Sequence, residues 1–210
     1  MFLHDYWRSG AAYRTRIALN LKGVAYDQRS VDLRTGAQRS ETFVTLNPQG
    51  MVPALEVDGA ILTQSPAILE WLEETHPEPA LLPGDPVARA HVRAMAALVG
   101  CDIHPLNNLR VGKALREGFG ADQAAVDAWA ARWIVPGFAA LEALVARHGE
   151  GWSFGATPTL ADCYLIPQLY SARRFNVPLD AYPRLLAVER TAQTHPAFAA
   201  ADPDLQPDAD

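Results

Sequence analysis

The stretch VPALEVDGAILTQSPAILEW, from Val52 to Trp71, predicts two strands and the start of a helix in close succession. The two strand-like runs are joined around Asp58-Gly59, a dipeptide suited to a tight reversal, so they form a hairpin. An apolar pattern of helical spacing follows. Pro66 suits the first turn of that helix, and Ser65 is its candidate N-cap.

Strand and helix patterns also alternate on the N-terminal side of the hairpin. Gly23 ends the first helix, as glycine commonly does. The predicted elements are a strand over 1–6, a helix over 12–22, a strand over 24–33 that contains Tyr26 and Val31, a helix over 40–47 that ends before Pro48, and a helix over 65–77 after the hairpin. They predict a small mixed sheet with helices packed on it.

The composition changes at residues 79–89, where proline and glycine cluster as in a linker. Beyond this point the chain is rich in alanine and leucine and almost lacks strand patterns. The predicted helices run over 87–100, continuing past Pro105 toward Glu117, over 121–148 with a possible kink at Pro136, over 159–175 and over 183–194, and the tail after Pro196 is predicted to be irregular. The fold class is therefore α/β plus all-α, with domains at 1–82 and 89–210 and a linker at 83–88.

Composition and charge exclude several classes of function. Of the 210 residues, 49% are hydrophobic and 20% charged, as in an ordinary folded protein. The net charge of -6 argues against nucleic-acid binding, which needs a basic face. No apolar run reaches the ~20 residues of a membrane span, and the N-terminus lacks a signal-peptide pattern. We therefore expect a cytoplasmic protein without membrane or nucleic-acid partners.

The cysteines and histidines do not predict a metal site. Cys101 and Cys163 have neither metal-site spacing nor the density of a disulfide framework. The histidines are scattered singly along the chain, with no pair at a metal-ligand spacing. We expect no metal and a reduced cellular compartment.

Two helix starts and one proline are candidates for ligand binding. Ser9-Gly10-Ala11-Ala12 enters the first helix, whose amides and dipole favour an anion by about 0.3–1 kcal/mol. The Ser9 hydroxyl could donate to a thiolate there, and its small neighbours would let a ligand approach. Gln64-Ser65 opens another helix, where free N–H groups attract a carboxylate. A cis bond at Pro53 would turn the backbone of Val52 outward to pair with an extended peptide.

Each of these sites also has an ordinary explanation. Ser9 and Ser65 can be plain N-caps, and Gly10-Ala11-Ala12 a tight turn. Pro53 can be a trans proline that starts an edge strand. Taken singly, the residues favour the ordinary explanation for Pro53 and for Ser65.

Together, however, the motifs resemble those of the cytosolic glutathione transferases over almost the whole chain. The motifs are VPAL before a hairpin, QSPAI opening a helix, and an all-helical second half. WRSGAAYRTRIALNLKG is most similar to the zeta class, whose usual signature is Ser-Ser-Cys-Ser followed by an aromatic residue and Arg. CDIHPLNNLRV, TPTLADCYLIPQ, SARRFNV and the C-terminal QPD also resemble that class. The resemblance implies a thioredoxin-like N-terminal domain followed by an all-helical domain.

The chain departs from the zeta signature at the residues after Ser9. Gly10, Ala11 and Ala12 replace Ser, Cys and Ser, so Ser9 would stabilise the thiolate alone. The missing cysteine also removes a site of covalent attack by reactive substrates. These changes argue more against broad conjugation chemistry than against isomerisation.

The resemblance implies glutathione as cofactor and assigns roles to individual residues. Ser9, Arg8 and Arg174 would be catalytic, the two arginines facing a dicarboxylate, which arginine binds through its fork of donors. Arg173 is an equal candidate by sequence but is expected to be exposed. Glutathione would contact Ser9, Gly10 and Ala11 near its sulfur, Val52 through the backbone, Gln64 and Ser65 at the γ-glutamyl carboxylate, Gln38 at the glycyl end, and His104, Asn108, Leu109 and Arg110 in the cleft between the domains.

The resemblance also implies an activity and leaves two alternatives open. Zeta enzymes include isomerases of maleylacetoacetate and maleylpyruvate, so the expected activity is glutathione-dependent cis–trans isomerisation of a maleyl dicarboxylate in aromatic catabolism. The alternatives are a transferase that conjugates or dehalogenates small electrophiles and a non-catalytic binding or regulatory protein of the same fold.

Other residues are expected to serve folding and assembly. A homodimer is expected, with apolar surface from Met51 and from tryptophan-rich helices that contain Trp71, Trp129 and Trp133. Thr159 and Asp162 form a capping pattern assigned to folding.

Overall fold

The computed structural model describes residues 1–209, which form two compact units. The first unit comprises Met1–Leu81 and the C-terminal segment that begins at Thr194. The second unit is Leu82–Gln193. A small sheet with helices in one unit and helices alone in the other confirm the predicted fold class.

The first unit is built on a sheet with strand order β2-β1-β3-β4. Strand β2 runs parallel to β1, whereas β3 is antiparallel to β1 and β4 is antiparallel to β3. The apolar faces of the helices and of the central strands are buried together. The elements are β1 (Phe2–Asp5), α1 (Gly10–Leu21), β2 (Asp27–Ser30), a 3-10 turn (Ala37–Arg39), α2 (Glu41–Leu46), β3 (Ala54–Val57), β4 (Ala60–Thr63) and α3 (Ser65–Thr75).

Three local expectations for this unit are wrong. The Val52–Pro53 peptide is cis, not trans. Ser65 is the first residue of α3, and Gln64 occupies the N-cap position with φ 67° and ψ 110°. Tyr26 and Val31 flank β2 instead of lying within it, because only the four residues between them pair with β1.

The second unit contains five α-helices among the described residues. These are α4 (Pro86–Ala97), α5 (Leu109–Phe119), α6 (Gln123–His148), α7 (Leu160–Arg174) and α8 (Pro183–Gln193). The helix expected to continue past Pro105 is interrupted by a π-helical turn at Leu98–Ile103 and a 3-10 turn at His104–Leu106. Asn108 then caps a new helix, α5. Helix α6 continues through Pro136.

Helix α6 buries one stripe of its surface. Among residues 1–209 it is the one helix long and apolar enough, by length and composition, to cross a membrane. A core helix of an ordinary helical bundle passes the same test, so this is a weak indication. Its buried residues recur at helical spacing, as expected when one face packs on neighbouring helices: Val126, Ala130, Ile134, Phe138, Leu141 and Val145.

A buried carboxylate fixes the start of α7. Asp162 accepts hydrogen bonds from the backbone N–H groups of Thr159 and Ser153, both at 2.8 Å. The capping box predicted from Thr159 and Asp162 is therefore confirmed.

The C-terminal tail is more ordered than expected and packs with the first unit. It forms α9 (Pro196–Ala199) and a 3-10 turn (Pro203–Leu205). Asn20 on α1 donates to the Ala197 carbonyl at 3.0 Å, and Arg16 donates to the Ala201 carbonyl at 3.1 Å. These contacts place the tail with the first unit, whereas the sequence-based boundaries assigned it to the second domain.

Candidate active site

Ser9 caps the N-terminus of α1. Its N–H donates to the Tyr6 carbonyl at 2.9 Å, closing a tight turn after β1. Its Oγ accepts from the Ala12 N–H at 3.3 Å. This cap uses the oxygen as an acceptor, so the O–H proton can still be donated to another group. The structural role and the chemical role of Ser9 are therefore compatible.

The residues after Ser9 leave the helix start uncovered by large side chains. Gly10 and Ala11 are the first residues of α1 and are half-buried. The first N–H groups of a helix have no partner within the helix and carry its positive dipole end. An anion held there would meet the Ser9 hydroxyl and these amides together.

Arg14 connects the two predicted helix-start sites. Its buried guanidinium donates from Nη1 to the Ser65 Oγ at 3.0 Å, which ties α1 to the start of α3. No role for Arg14 was predicted from the sequence. The available signal was its position, since it is the arginine that ends the signature after Tyr13.

Gln64 lies in a strained backbone conformation at the start of α3. A φ of 67° is unfavourable for any residue with a Cβ, at a cost of roughly 1–3 kcal/mol, and such residues cluster at binding sites. The Gln64 side-chain Nε2 donates to Oε1 of Gln49, in the loop before β3. The sequence analysis did not identify Gln49, since nothing in its local pattern indicates this partner.

The same loop packs against Gln38. A Cβ at Gly50, whose φ is 61°, would lie 2.9 Å from the Gln38 carbonyl oxygen, so only glycine allows this approach. The side-chain Oε1 of Gln38 is buried without a hydrogen-bond partner in residues 1–209. Buried polar atoms rarely stay unpartnered, so this oxygen is a candidate acceptor for an N–H of a ligand. Val52 lies two residues after Gly50 and just before β3, and is half-buried.

The structure thus brings the predicted first-unit residues into one connected group. Side-chain or close backbone contacts connect Ser65 to α1, Gln64 to the loop before β3, and that loop to Gln38. The group offers two helix starts that attract anions, two serine hydroxyls that can donate and one unpartnered amide oxygen. These features fit an extended peptide that carries a carboxylate and a thiolate.

Arg8 is half-buried beside this group. Its guanidinium carbon lies 5.2 Å from the centroid of the Trp7 ring, within cation–π range.

The second-unit candidates form a cluster near the start of α5. His104, in the preceding 3-10 turn, is half-buried. Asn108 is the N-cap of α5, and its Oδ1 accepts from the N–H groups of Arg110 at 3.2 Å and Val111 at 3.4 Å. Leu109 and Arg110 are exposed. Asn108 therefore has a structural role that the sequence analysis did not predict.

Arg173 and Arg174 differ in their surroundings at the end of α7. Both are exposed. Arg173 makes two hydrogen bonds to the Glu189 carboxylate on α8, and this ion pair raises the pKa of its guanidinium. The guanidinium of Arg174 lies 6.0 Å from the Phe175 ring centroid. Arg173 is thus held by a carboxylate of α8, and Arg174 stays a candidate for substrate binding through the family resemblance.

In the described part of the chain, no group of three or more His, Cys, Asp or Glu side chains is arranged to hold a metal ion. Cys101 is exposed, Cys163 is buried, and neither forms a disulfide.

Comparisons with known proteins identify one family across the chain. The family descriptions "Glutathione S-transferase, N-terminal domain" and "Glutathione S-transferase, C-terminal domain" match residues 8–75 and 123–190. A maleylpyruvate isomerase from a Ralstonia species is 54% identical over 99% of both chains. A maleylacetoacetate isomerase from Pseudomonas aeruginosa is 53% identical over 99% of this chain and 98% of the relative.

Solved structures agree with these relatives. The holo structure of a maleyl pyruvate isomerase, described as a bacterial zeta-class glutathione S-transferase, superposes with a TM-score of 0.99 at 53% identity over the full length of both chains. A maleylacetoacetate isomerase from Anaeromyxobacter dehalogenans, with dicarboxyethyl glutathione and citrate bound in its active site, has a TM-score of 0.89 at 46% identity. It covers all of this chain and 93% of the other.

Proposed function

This chain belongs to the glutathione S-transferase family, and on that premise we propose that it is a glutathione-dependent cis–trans isomerase of a maleyl dicarboxylate. The substrate is maleylpyruvate or maleylacetoacetate, and the product is the corresponding fumaryl compound. The observation that carries the proposal is the Ser9 hydroxyl at the start of α1, the helix that Arg14 connects to the start of α3. The proposed setting is the breakdown of aromatic compounds in the cytoplasm.

The first-unit residues fit glutathione. The start of α3, with Gln64 and Ser65, would hold the γ-glutamyl carboxylate, since helix N-termini bind anions. The unpartnered Oε1 of Gln38 would accept from the glycyl N–H of glutathione near its glycyl end. Val52 would pair its backbone with the cysteinyl residue, as in strand addition.

Residues of the second unit are proposed to make the remaining contacts to glutathione. His104, Leu109 and Arg110 are assigned to glutathione binding by the family resemblance. Asn108 uses its Oδ1 to cap α5, so a contact to the ligand would come from its Nδ2 group.

Bound glutathione supplies a thiolate that adds to the maleyl double bond, permits rotation about the resulting single bond, and leaves again. Ser9 donates its O–H to the sulfur, and the first amides of α1 add their partial positive charge. A free thiol has a pKa of ~8.5, and donors around the sulfur lower it so that more thiolate is present at neutral pH.

The two arginines would bind and polarise the dicarboxylate. Arg8 adjoins Ser9, so its charge would stabilise the negative charge that develops on the conjugated carbonyl during addition. Arg174 would hold a substrate carboxylate through its planar fork of donors.

A product assay tests this proposal. The purified protein is incubated with maleylpyruvate or maleylacetoacetate, with and without glutathione, and the fumaryl product and total free thiol are measured. We expect fumaryl product only with glutathione, and no net loss of thiol. Thiol consumed in proportion to substrate would indicate a conjugating transferase instead. A protein that neither isomerises these substrates nor binds to immobilised glutathione would be a non-catalytic member of the family.

A further inference from the structure

We propose that Asp208, the last residue of the C-terminal Gln-Pro-Asp motif, is a positioning residue for the turn that carries Arg8 and Ser9. This inference rests on the proposed function, because it assigns the tail a role in placing the groups of that same site. The turn is Tyr6–Ser9, closed by the hydrogen bond from the Ser9 N–H to the Tyr6 carbonyl.

Both backbone polar groups of Trp7, inside this turn, are held by side chains from elsewhere in the first unit. The Trp7 N–H donates to Oδ2 of Asp208 at 3.2 Å. The Trp7 carbonyl accepts from Nη2 of Arg16 at 2.8 Å. Trp7 is itself buried, the bond from Arg16 is buried and the bond to Asp208 is partly buried. The residue immediately before Arg8 is therefore fixed from two sides.

Arg16 makes a second connection between the turn and the tail, in addition to the Trp7–Asp208 bond. Its guanidinium is fully buried and also donates to Oδ2 of Asp5 at 2.9 Å and, through Nε, to the Ala201 carbonyl at 3.1 Å. The end of β1, the turn and the tail therefore share one buried cation.

The Gln-Pro-Asp motif places its aspartate next to the turn. Gln206 folds the tail on itself by donating to the carbonyls of Ala200 and Asp202, at 3.1 and 2.6 Å. Its Oε1 accepts from Gln28 on β2 at 2.8 Å. Pro207 fixes the next φ angle. Oδ2 of Asp208 then accepts from Trp7 and also from Ser30 Oγ, the latter at 2.7 Å.

We expect Asp208 to affect the rate more than the binding of glutathione. The reason is that the groups it positions, Ser9 and Arg8, are proposed to act on the transition state. Loss of the Asp208 contact would let the turn shift, and with it the Ser9 hydroxyl and the Arg8 charge. A misplacement of ~1 Å can lower a rate by about 100-fold. Glutathione contacts on other elements, such as Gln64 and Ser65, would persist. The expected signature is thus a lower kcat with little change in glutathione affinity.

Three variants test this role: Asp208→Ala, Asp208→Asn and a control. The control is Asn20→Ala, which removes a tail contact to Ala197 at 3.0 Å without touching the turn. For each variant, Tm, kcat, KM and the Kd for glutathione are measured. The thiolate absorbance of the enzyme–glutathione complex is also followed against pH, because it reports the environment of the sulfur independently of isomerisation.

We expect Asp208→Ala to lower kcat by roughly 10- to 100-fold and to raise the pH at which bound glutathione ionises. Asp208→Asn keeps an oxygen that accepts from Trp7, so it should retain most of the activity. Asn20→Ala should lower Tm alone. Wild-type kcat and thiol ionisation in folded Asp208→Ala would overturn the inference, as would an equal loss of kcat in Asn20→Ala.

Two further results distinguish a failure of this inference from a failure of the proposed function. If Asp208→Ala does not fold, Asp208→Glu keeps the charge and the acceptor oxygens of the tail but moves them by one methylene from the Trp7 N–H. Unchanged kcat and thiol ionisation in that variant would overturn the inference. If the wild-type protein isomerises neither substrate, the proposed function fails. The thiol ionisation of Asp208→Ala then still decides whether Asp208 positions the turn.

Discussion

At Ser9, one side chain serves both the helix and the proposed chemistry, so a loss of activity on substitution has two possible causes. The chain contains a matched control. Ser40 caps α2 by accepting from the Phe43 N–H at 3.3 Å, the same distance as in the Ser9 cap. Comparing the two serines separates the loss of a cap from the loss of a thiolate donor.

We expect Ser9→Ala and Ser40→Ala to destabilise the protein similarly, by about 0.5–2 kcal/mol, because each removes one N-cap. Only Ser9→Ala should strongly lower kcat and raise the pH at which bound glutathione ionises. Chemical denaturation and steady-state kinetics measure the two effects. Full activity in folded Ser9→Ala would mean that the amides of α1 suffice without the hydroxyl.

The arginines should be distinguishable by kinetics. A group that mainly binds substrate raises KM, and a group that acts in the transition state lowers kcat. Arg174→Ala should chiefly raise KM for the dicarboxylate, whereas Arg8→Ala should also lower kcat. Lysine should replace either poorly, because it lacks the forked donors. Steady-state kinetics with substrate and glutathione varied separately measures both.

Arg173→Ala is the matched control for Arg174, since it removes the neighbouring cation and breaks the ion pair with Glu189. We expect it to leave KM unchanged. An unchanged KM in Arg174→Ala, or an equal rise in Arg173→Ala, would remove Arg174 from substrate binding.

At the scale of elements, the tail covers one edge of the first unit next to β2. A groove of about 400 Å³ there is lined by residues of the α1–β2 connection and of the tail, among them Tyr26, Gln206 and Pro207. Burial raises the pKa of the Tyr26 phenol to about 12, from an ordinary value of about 10. The burial of this phenol has a consequence for stability at alkaline pH.

Tyr26 should make the folded state less stable as the pH rises from about 10 to about 12. In that range the unfolded phenol loses its proton and the folded phenol keeps it, so deprotonation favours the unfolded state. Tyr26→Phe should lack this part of the alkaline decrease in the free energy of unfolding. Denaturant titrations of both proteins across the range measure the difference. An identical pH dependence in the two proteins would show that this phenol is not protected.

At the scale of the whole molecule, the family resemblance leads us to expect a homodimer. Met51 and Trp71 are half-buried in the single chain. Such apolar side chains are often covered by a partner. Sedimentation at micromolar concentration should therefore give twice the mass of one 210-residue chain. Met51→Glu should increase the monomer fraction. A wild-type protein that sediments as a monomer would contradict this expectation.

Features governed by neighbouring residues were predictable from the sequence. The hairpin at Asp58-Gly59, the Ser9 cap and the Thr159–Asp162 capping box all depend on contacts within a few residues. The family resemblance then supplied roles that no local pattern predicts, such as those of Val52 and Gln38.

Other contacts join residues that are far apart in the chain, and only the tertiary structure shows them. Arg14 meets Ser65 across 51 positions, Arg16 meets Ala201 across 185, and Trp7 meets Asp208 across 201. The cis bond before Pro53 was mispredicted, and the backbone conformation of Gln64 and the return of the tail to the first unit were not predicted at all. Local propensities differ by about 1 kcal/mol or less between alternatives. Buried hydrogen bonds to charged groups contribute about 1.5–3 kcal/mol each, so distant partners outweigh local preference at these positions.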